Sequence, residues 1–80
     1  MAACLTLAAC AGLGERAEER ACRTGIDRLE AAIAGWQGGV NAKTEAENQI
    51  DFADGAADFG LWEGCRSSLR RGFRALGQTL

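Results

Sequence analysis

Residues 22–36 read CRTGIDRLEAAIAGW, and their spacing decides the architecture of the chain. Cys22, Ile26, Leu29, Ile33 and Trp36 recur at steps of four, three, four and three. A helix turns once in 3.6 residues, so these side chains form one narrow stripe, the seam by which a helix packs on another helix. Charged residues fill the other faces. Glu19 with Arg23, and Arg23 with Asp27, stand four apart, where opposite charges add roughly 0.2–0.5 kcal/mol per pair. The spacing predicts a first helix from Glu15 to about Trp36, ended by Gly38-Gly39.

Beyond that turn, Thr44-Glu45-Ala46-Glu47 fits a capping box, with Thr44 accepting from the backbone and Glu47 reaching back. A second helix is expected from there, turning Ala46, Ile50, Ala53 and Ala57 inward. Its apolar face consists mostly of small residues, so a neighbouring backbone can approach closely. Asp54-Gly55 and Phe59-Gly60 weaken its end, and Asp58 is placed to cap a third segment. That segment, about Leu61 to Leu76, carries Leu61, Cys65, Leu69, Phe73 and Leu76 on one stripe.

The composition agrees with an all-α chain. Eighty residues allow one small domain, and domains of this size often need a disulfide, a metal or a partner. There is no Pro to interrupt a helix, and Ala, Glu, Arg and Leu favour one. No His is present, which removes the commonest general base and the commonest nitrogen ligand. The net charge of −2 makes no general case for nucleic acid or acidic lipid. Lys43 is the only lysine; the other basic residues are arginines.

The first fourteen residues, MAACLTLAACAGLG, carry no charge. Leu7-Ala8-Ala9-Cys10 resembles the lipobox of bacterial lipoproteins, in which small residues precede a cysteine that is acylated and becomes the first residue of the mature protein. The resemblance implies that residues 1–9 are a truncated signal peptide remnant and residues 10–14 a lipidated tether. Residues 15–80 are then the helical domain. Nine residues without a basic one are short for a signal peptide, so the reading places the true start upstream of Met1.

If Cys4 belongs to the discarded segment and Cys10 carries lipid, Cys22 and Cys65 remain as one even pair. An exported pair of that kind closes in an oxidising compartment. On the chain-entropy account such a loop adds roughly 4 kcal/mol. In a cytosolic chain all four cysteines stay reduced, and the apolar N-terminus is simply buried. Zinc is not expected, because no C-x-x-C spacing and no His is present to complete a site.

Both cysteines fall on the inward stripes. A bundle of three segments, up-down-up, brings Cys22 and Cys65 to the same end. The alternative is a long two-helix hairpin with an uninterrupted second helix. It misaligns the two cysteines by six residues, about 9 Å along a helix. A bend between Gly55 and Gly60 removes the mismatch, so the small disulfide-linked bundle is the expected fold.

Two surface features stand out. Residues 44–63 hold six acidic side chains and no basic one, with Glu47, Asp51, Asp54 and Asp58 in one stripe. Arg66, Arg70, Arg71 and Arg74 follow, three of them four apart. The two stripes are expected to face each other across the second and third helices, selecting the helix neighbour. The functional alternative is an arginine face for an anionic partner. Trp36 and Trp62 at helix ends are expected to plug a bundle whose middle is alanine, with an exposed partner contact as the alternative. No Ser-His, Cys-His or phosphate-loop arrangement is present, and no catalytic residue or cofactor is assigned. These features, with the lipobox resemblance, lead to a membrane-anchored structural or interaction subunit of the bacterial cell envelope. Ala11 after the cysteine favours the periplasmic face of the outer membrane, by resemblance. A periplasmic inhibitor or immunity protein that binds an enzyme, and a cytosolic helical adaptor, are the other classes.

Overall fold

A computed structural model describes the backbone of residues 7–78 and the side chains from residue 14 onward, Glu15 excepted. It contains three helices: α1, Leu7–Ala34; α2, Val40–Asp58; and α3, Trp62–Ala75. The chain runs up, down and up, so α1 and α3 are parallel and α2 is antiparallel to both. The buried residues are Cys22, Ile26, Leu29 and Ile33 of α1, Ala46, Ala53 and Ala57 of α2, and Cys65, Leu69 and Phe73 of α3, closed by Leu76. Most of the stripe positions read from periodicity are the core, with Leu61, Ile50 and Trp36 the exceptions, and the two-helix hairpin is excluded by the break before α3.

That break has a clear local cause. Gly60 adopts φ +70°, a left-handed conformation that costs glycine little. The Leu61 N–H donates to Ala56 O at 2.8 Å and the Gly60 N–H to Ala57 O at 3.0 Å, the paired bonds of a Schellman turn. Gly77, at φ +71°, ends α3 the same way, with Gln78 N–H donating to Phe73 O. Gly55 stays inside α2 and does not bend it.

Helices α1 and α3 approach closely at two glycines. Leu69 lies over Gly25, and Leu29 lies over Gly72; a Cβ at either glycine would overlap the facing leucine. Each helix thus offers a hole to the other's knob, with the same register of 43–44 residues. One turn toward the N-terminal end of α1, Cys22 and Cys65 are joined at 1.96 Å between sulfurs and 6.0 Å between Cα atoms. The disulfide expected from the cysteine count is present.

Several boundaries differ from expectation. Helix α1 starts at Leu7, so its backbone is already helical across the segment 10–14 read as a tether. Helix α2 starts at Val40 rather than at Thr44. Gly39 takes the N-cap position in extended geometry (φ −67°, ψ 149°) and its carbonyl accepts from Lys43 N–H. No breaker separates Gly39 from Thr44 and Ala42 packs on the core, so Thr44 lies in the second turn and the capping box does not form. Asp58 is the last residue of α2 and does not cap α3; Leu61 does so by backbone alone. In that position Leu61 points outward and is exposed, while Trp62 packs against the core in its place.

The inner face of α2 is also rotated from the expected one. Gln49 is buried, and Ile50 only partly so, because Gly72 leaves room for the Gln49 stem on the α3 side. Gln49 Nε2 donates to Glu45 Oε1 at 2.9 Å, while its own Oε1 is buried without a partner.

The packing generates two stability predictions. Gly55 has open space around its Cβ position, so Gly55→Ala raises stability by about 0.5–1 kcal/mol through helix propensity. Gly72→Ala drives a methyl into Leu29, which is fully buried and cannot move aside, and lowers stability by about 1–3 kcal/mol. Thermal melts followed by circular dichroism separate the two. Replacing both Cys22 and Cys65 by Ser lowers stability by about 2–5 kcal/mol, read from urea melts as a fall in midpoint.

Candidate functional site

The residues singled out on sequence grounds do not converge on one pocket. They divide between the two ends and one flank of the bundle. The Cys10 side chain, on which the lipidation expectation falls, lies outside the described residues, as does the segment 1–6.

Trp36 follows the end of α1 and is half-buried against the core. Its Nε1 donates to Gly39 O at 2.9 Å, and its ring covers Gly38 so closely that a Cβ there would overlap it. The indole therefore closes the α1–α2 connection. Trp62 does the corresponding work at the other end, where it packs beside Ala17, Ala21 and Cys22 of α1. Both tryptophans plug the ends of the bundle, as their spacing implied.

The arginine stripe behaves differently from expectation. Arg66 lies 3.7 Å from Glu18 of α1 and 3.7 Å from Glu63 of its own helix, and Arg70 lies 3.5 Å from Glu63. Arg23 of α1 takes Asp58 at 3.8 Å and Glu19 at 3.9 Å. Among the described residues no ion pair joins the acidic stripe of α2 to an arginine of α3. The helical rotation explains this. Glu47 and Asp51 turn to the α1 side, beside Glu30, Ile33 and Lys43, whereas Arg66 and Arg70 turn to the flank where α3 meets α1. All of these pairs are solvent-exposed, so each contributes about 0–1 kcal/mol.

Arg71 and Arg74 form no ion pair among the described residues. Arg28, which periodicity did not single out, joins this flank. Its guanidinium lies 6.0 Å from the centroid of Phe73, within reach of a cation–π contact. Arg20, Arg28, Ala17, Ala21, Thr24 and Gly25 line an open groove of about 450 Å³ with Phe73. Its floor is small residues, because Gly25 and the alanines keep α1 thin there. Only the parallel register of α1 and α3 brings Arg28 to Phe73, and the pattern within one helix does not report it.

The surface also carries apolar residues that the stripes did not predict. Val40, Phe52, Phe59 and Leu61 are exposed. Phe52, on α2, and Phe59, its C-cap residue, stand seven apart. Among the described residues no group of three or more His, Cys, Asp or Glu is placed to hold a metal ion.

These features define a small all-α bundle of three helices closed by a disulfide between its first and third. No protein family, curated protein or solved structure matches the chain.

The ion-pair geometry predicts that Arg71→Ala and Arg74→Ala change stability by less than about 0.5 kcal/mol. Arg66→Ala, which breaks two exposed pairs, costs at most about 1 kcal/mol. Urea denaturation of the three variants measures both, and a larger loss at Arg71 or Arg74 would show a structural pairing.

Proposed function

We propose that the chain is an exported bacterial lipoprotein, attached to the membrane through lipid on Cys10 and acting by interaction rather than catalysis. The observation that carries this reading is the Cys22–Cys65 disulfide. A buried, closed pair fits a compartment where thiols oxidise. Of the two remaining cysteines, Cys10 is the one that follows Leu7-Ala8-Ala9, the motif that resembles a lipobox. Anchoring at the end of α1 presents the bundle as a compact head on a helical stem. Among the described residues no helix is long and apolar enough to cross a membrane. The surface is one of charged flanks and exposed aromatics, which suits a structural or accessory subunit of an envelope assembly on the periplasmic face of the outer membrane.

A second reading has one observation in its favour. Because α3 does not neutralise the α2 carboxylates, Glu47, Asp51 and Asp54 form no ion pair among the described residues. That face is free to engage a basic surface, as an inhibitor or immunity protein does when it covers an enzyme. It would be distinguished by a neighbouring gene for a secreted hydrolase and by loss of binding on Asp51→Lys.

Intact-mass measurement of the native protein after membrane extraction tests the leading reading. The expected product lacks residues 1–9, carries acyl mass on Cys10 and is two hydrogens lighter for the Cys22–Cys65 bond. A soluble species that retains Met1 would overturn it.

A further inference from the structure

Three of the exposed apolar side chains follow one edge of the molecule. Phe52, on α2, is 64% exposed and Phe59, the C-cap residue that follows it by seven, is 82% exposed, a rise of about 10 Å along the helix axis. Leu61, 60% exposed, continues the line around the turn into α3. The Schellman turn at Gly60 makes this a firm feature, since it fixes the backbone on both sides of the glycine.

The edge ends where the N-terminal part of α1 leaves the bundle. Asp58 pairs with Arg23 and Arg66 with Glu18, so the α2–α3 turn stands level with residues 18–23 of α1. Helix α1 runs on past it to Leu7. Cys10 precedes Glu18 by eight residues, about 12 Å of helix.

Several of the charges beside this turn are paired. Asp58 is balanced by Arg23, Glu63 by Arg66 and Arg70, and Glu18 by Arg66. One turn from Phe52 and Phe59 stand Asn48, Gly55 and Ala56, which are uncharged, while Asp58 beside Phe59 and Glu63 beyond the turn are exposed and held in the ion pairs above. The acidic stripe turns away toward α1. Exposed phenylalanine and leucine bordered by paired charges are suited to the boundary between headgroups and acyl chains.

We propose that Phe52, Phe59 and Leu61 form a lipid-contact edge. With Cys10 held in the bilayer, α1 inclines so that the α2–α3 turn enters the interface, and the head lies on the membrane in one orientation. An upright α1 would hold the turn about 12 Å clear of the anchor, so the inclination is the specific content of the proposal. It rests on the anchoring reading above, which names only the point of attachment. Three side chains are too few to hold a soluble domain on a membrane, but they suffice to orient one already tethered.

The two tryptophans are internal reporters, because Trp62 adjoins Leu61 while Trp36 closes the opposite end. Full-length acylated protein is incorporated into vesicles of phosphatidylethanolamine and phosphatidylglycerol with acyl chains brominated near the headgroup. Trp36→Phe leaves Trp62 as the emitter, and Trp62→Phe leaves Trp36. The expected result is loss of most Trp62 emission with Trp36 emission unchanged. Phe59→Asp combined with Leu61→Asp, both at exposed positions, abolishes that quenching while helicity and flotation with the vesicles persist. Unquenched Trp62 in vesicle-bound protein overturns the edge and leaves the anchor standing, since flotation reports the anchor separately. The edge is likewise overturned if Phe52→Asp changes the oligomeric state in detergent and Trp62 stays unquenched, which assigns these side chains to a protein partner. A chain that proves non-acylated by mass and does not float with the vesicles overturns the anchor and the edge together, since the edge alone is too small to hold the domain on a membrane.

Discussion

Leu69 over Gly25 and Leu29 over Gly72 bring α1 and α3 nearer than two helices with ordinary side chains at those positions could come. The remainder of the bundle depends on that reciprocal contact. It sets the parallel register, and the register places Cys22 opposite Cys65 and Arg28 beside Phe73. Helix α2 packs against both with Ala46, Ala53 and Ala57, whose small side chains let it approach closely, and its contact with α3 is the most extensive in the bundle. The result is a core with few large members; the largest wholly enclosed side chains are Leu29, Leu69 and Cys65. Alanine buries little apolar area, so the hydrophobic contribution per residue is modest and the covalent link carries an unusual share of the stability.

The architecture was legible in the sequence because it rests on periodicity. Cys22, Ile26, Leu29 and Ile33 could be read as one stripe, and Cys65, Leu69, Phe73 and Leu76 as another, without knowing what faced them. Helix ends were harder. Thr44 and Asp58 have the chemistry of caps, yet Gly39 and Gly60 decide the boundaries through backbone conformation. A side-chain cap contributes about 1 kcal/mol and yields when the core gains by extending a helix, as it does here through Ala42. Burial on α2 was misjudged by one position, Gln49 for Ile50. The inner face of a helix between two neighbours depends on how close each stands, and that distance is set by Gly72 on a different helix.

The surface was less legible than the core, for a related reason. Acidic and basic stripes on successive helices look complementary when written as a line of letters. Whether they meet depends on the rotation of each helix about its own axis, which is fixed by core packing. Here α2 turns its carboxylates toward α1, and α3 turns Arg66 and Arg70 to the opposite flank. Phe52 and Phe59 were hidden by the same ambiguity, since a phenylalanine in an amphipathic helix is ordinarily assigned inward. The inward alanines were legible from spacing; the structure adds Gln49 to them and leaves both rings outside.

The position of the disulfide has a mechanical consequence. It ties parallel helices near the end from which α1 projects, at a sequence separation of 43 residues. Tension entering along α1 passes at Cys22 directly into α3 through sulfur. The intervening stretch, which includes all of α2 and the α1–α2 turn, lies outside that load path. Pulled from its ends, the chain can therefore lengthen only by the segments before Cys22 and after Cys65 while the bond is intact. The bond acts as a stop that limits extension, and the loop it encloses stays slack under load.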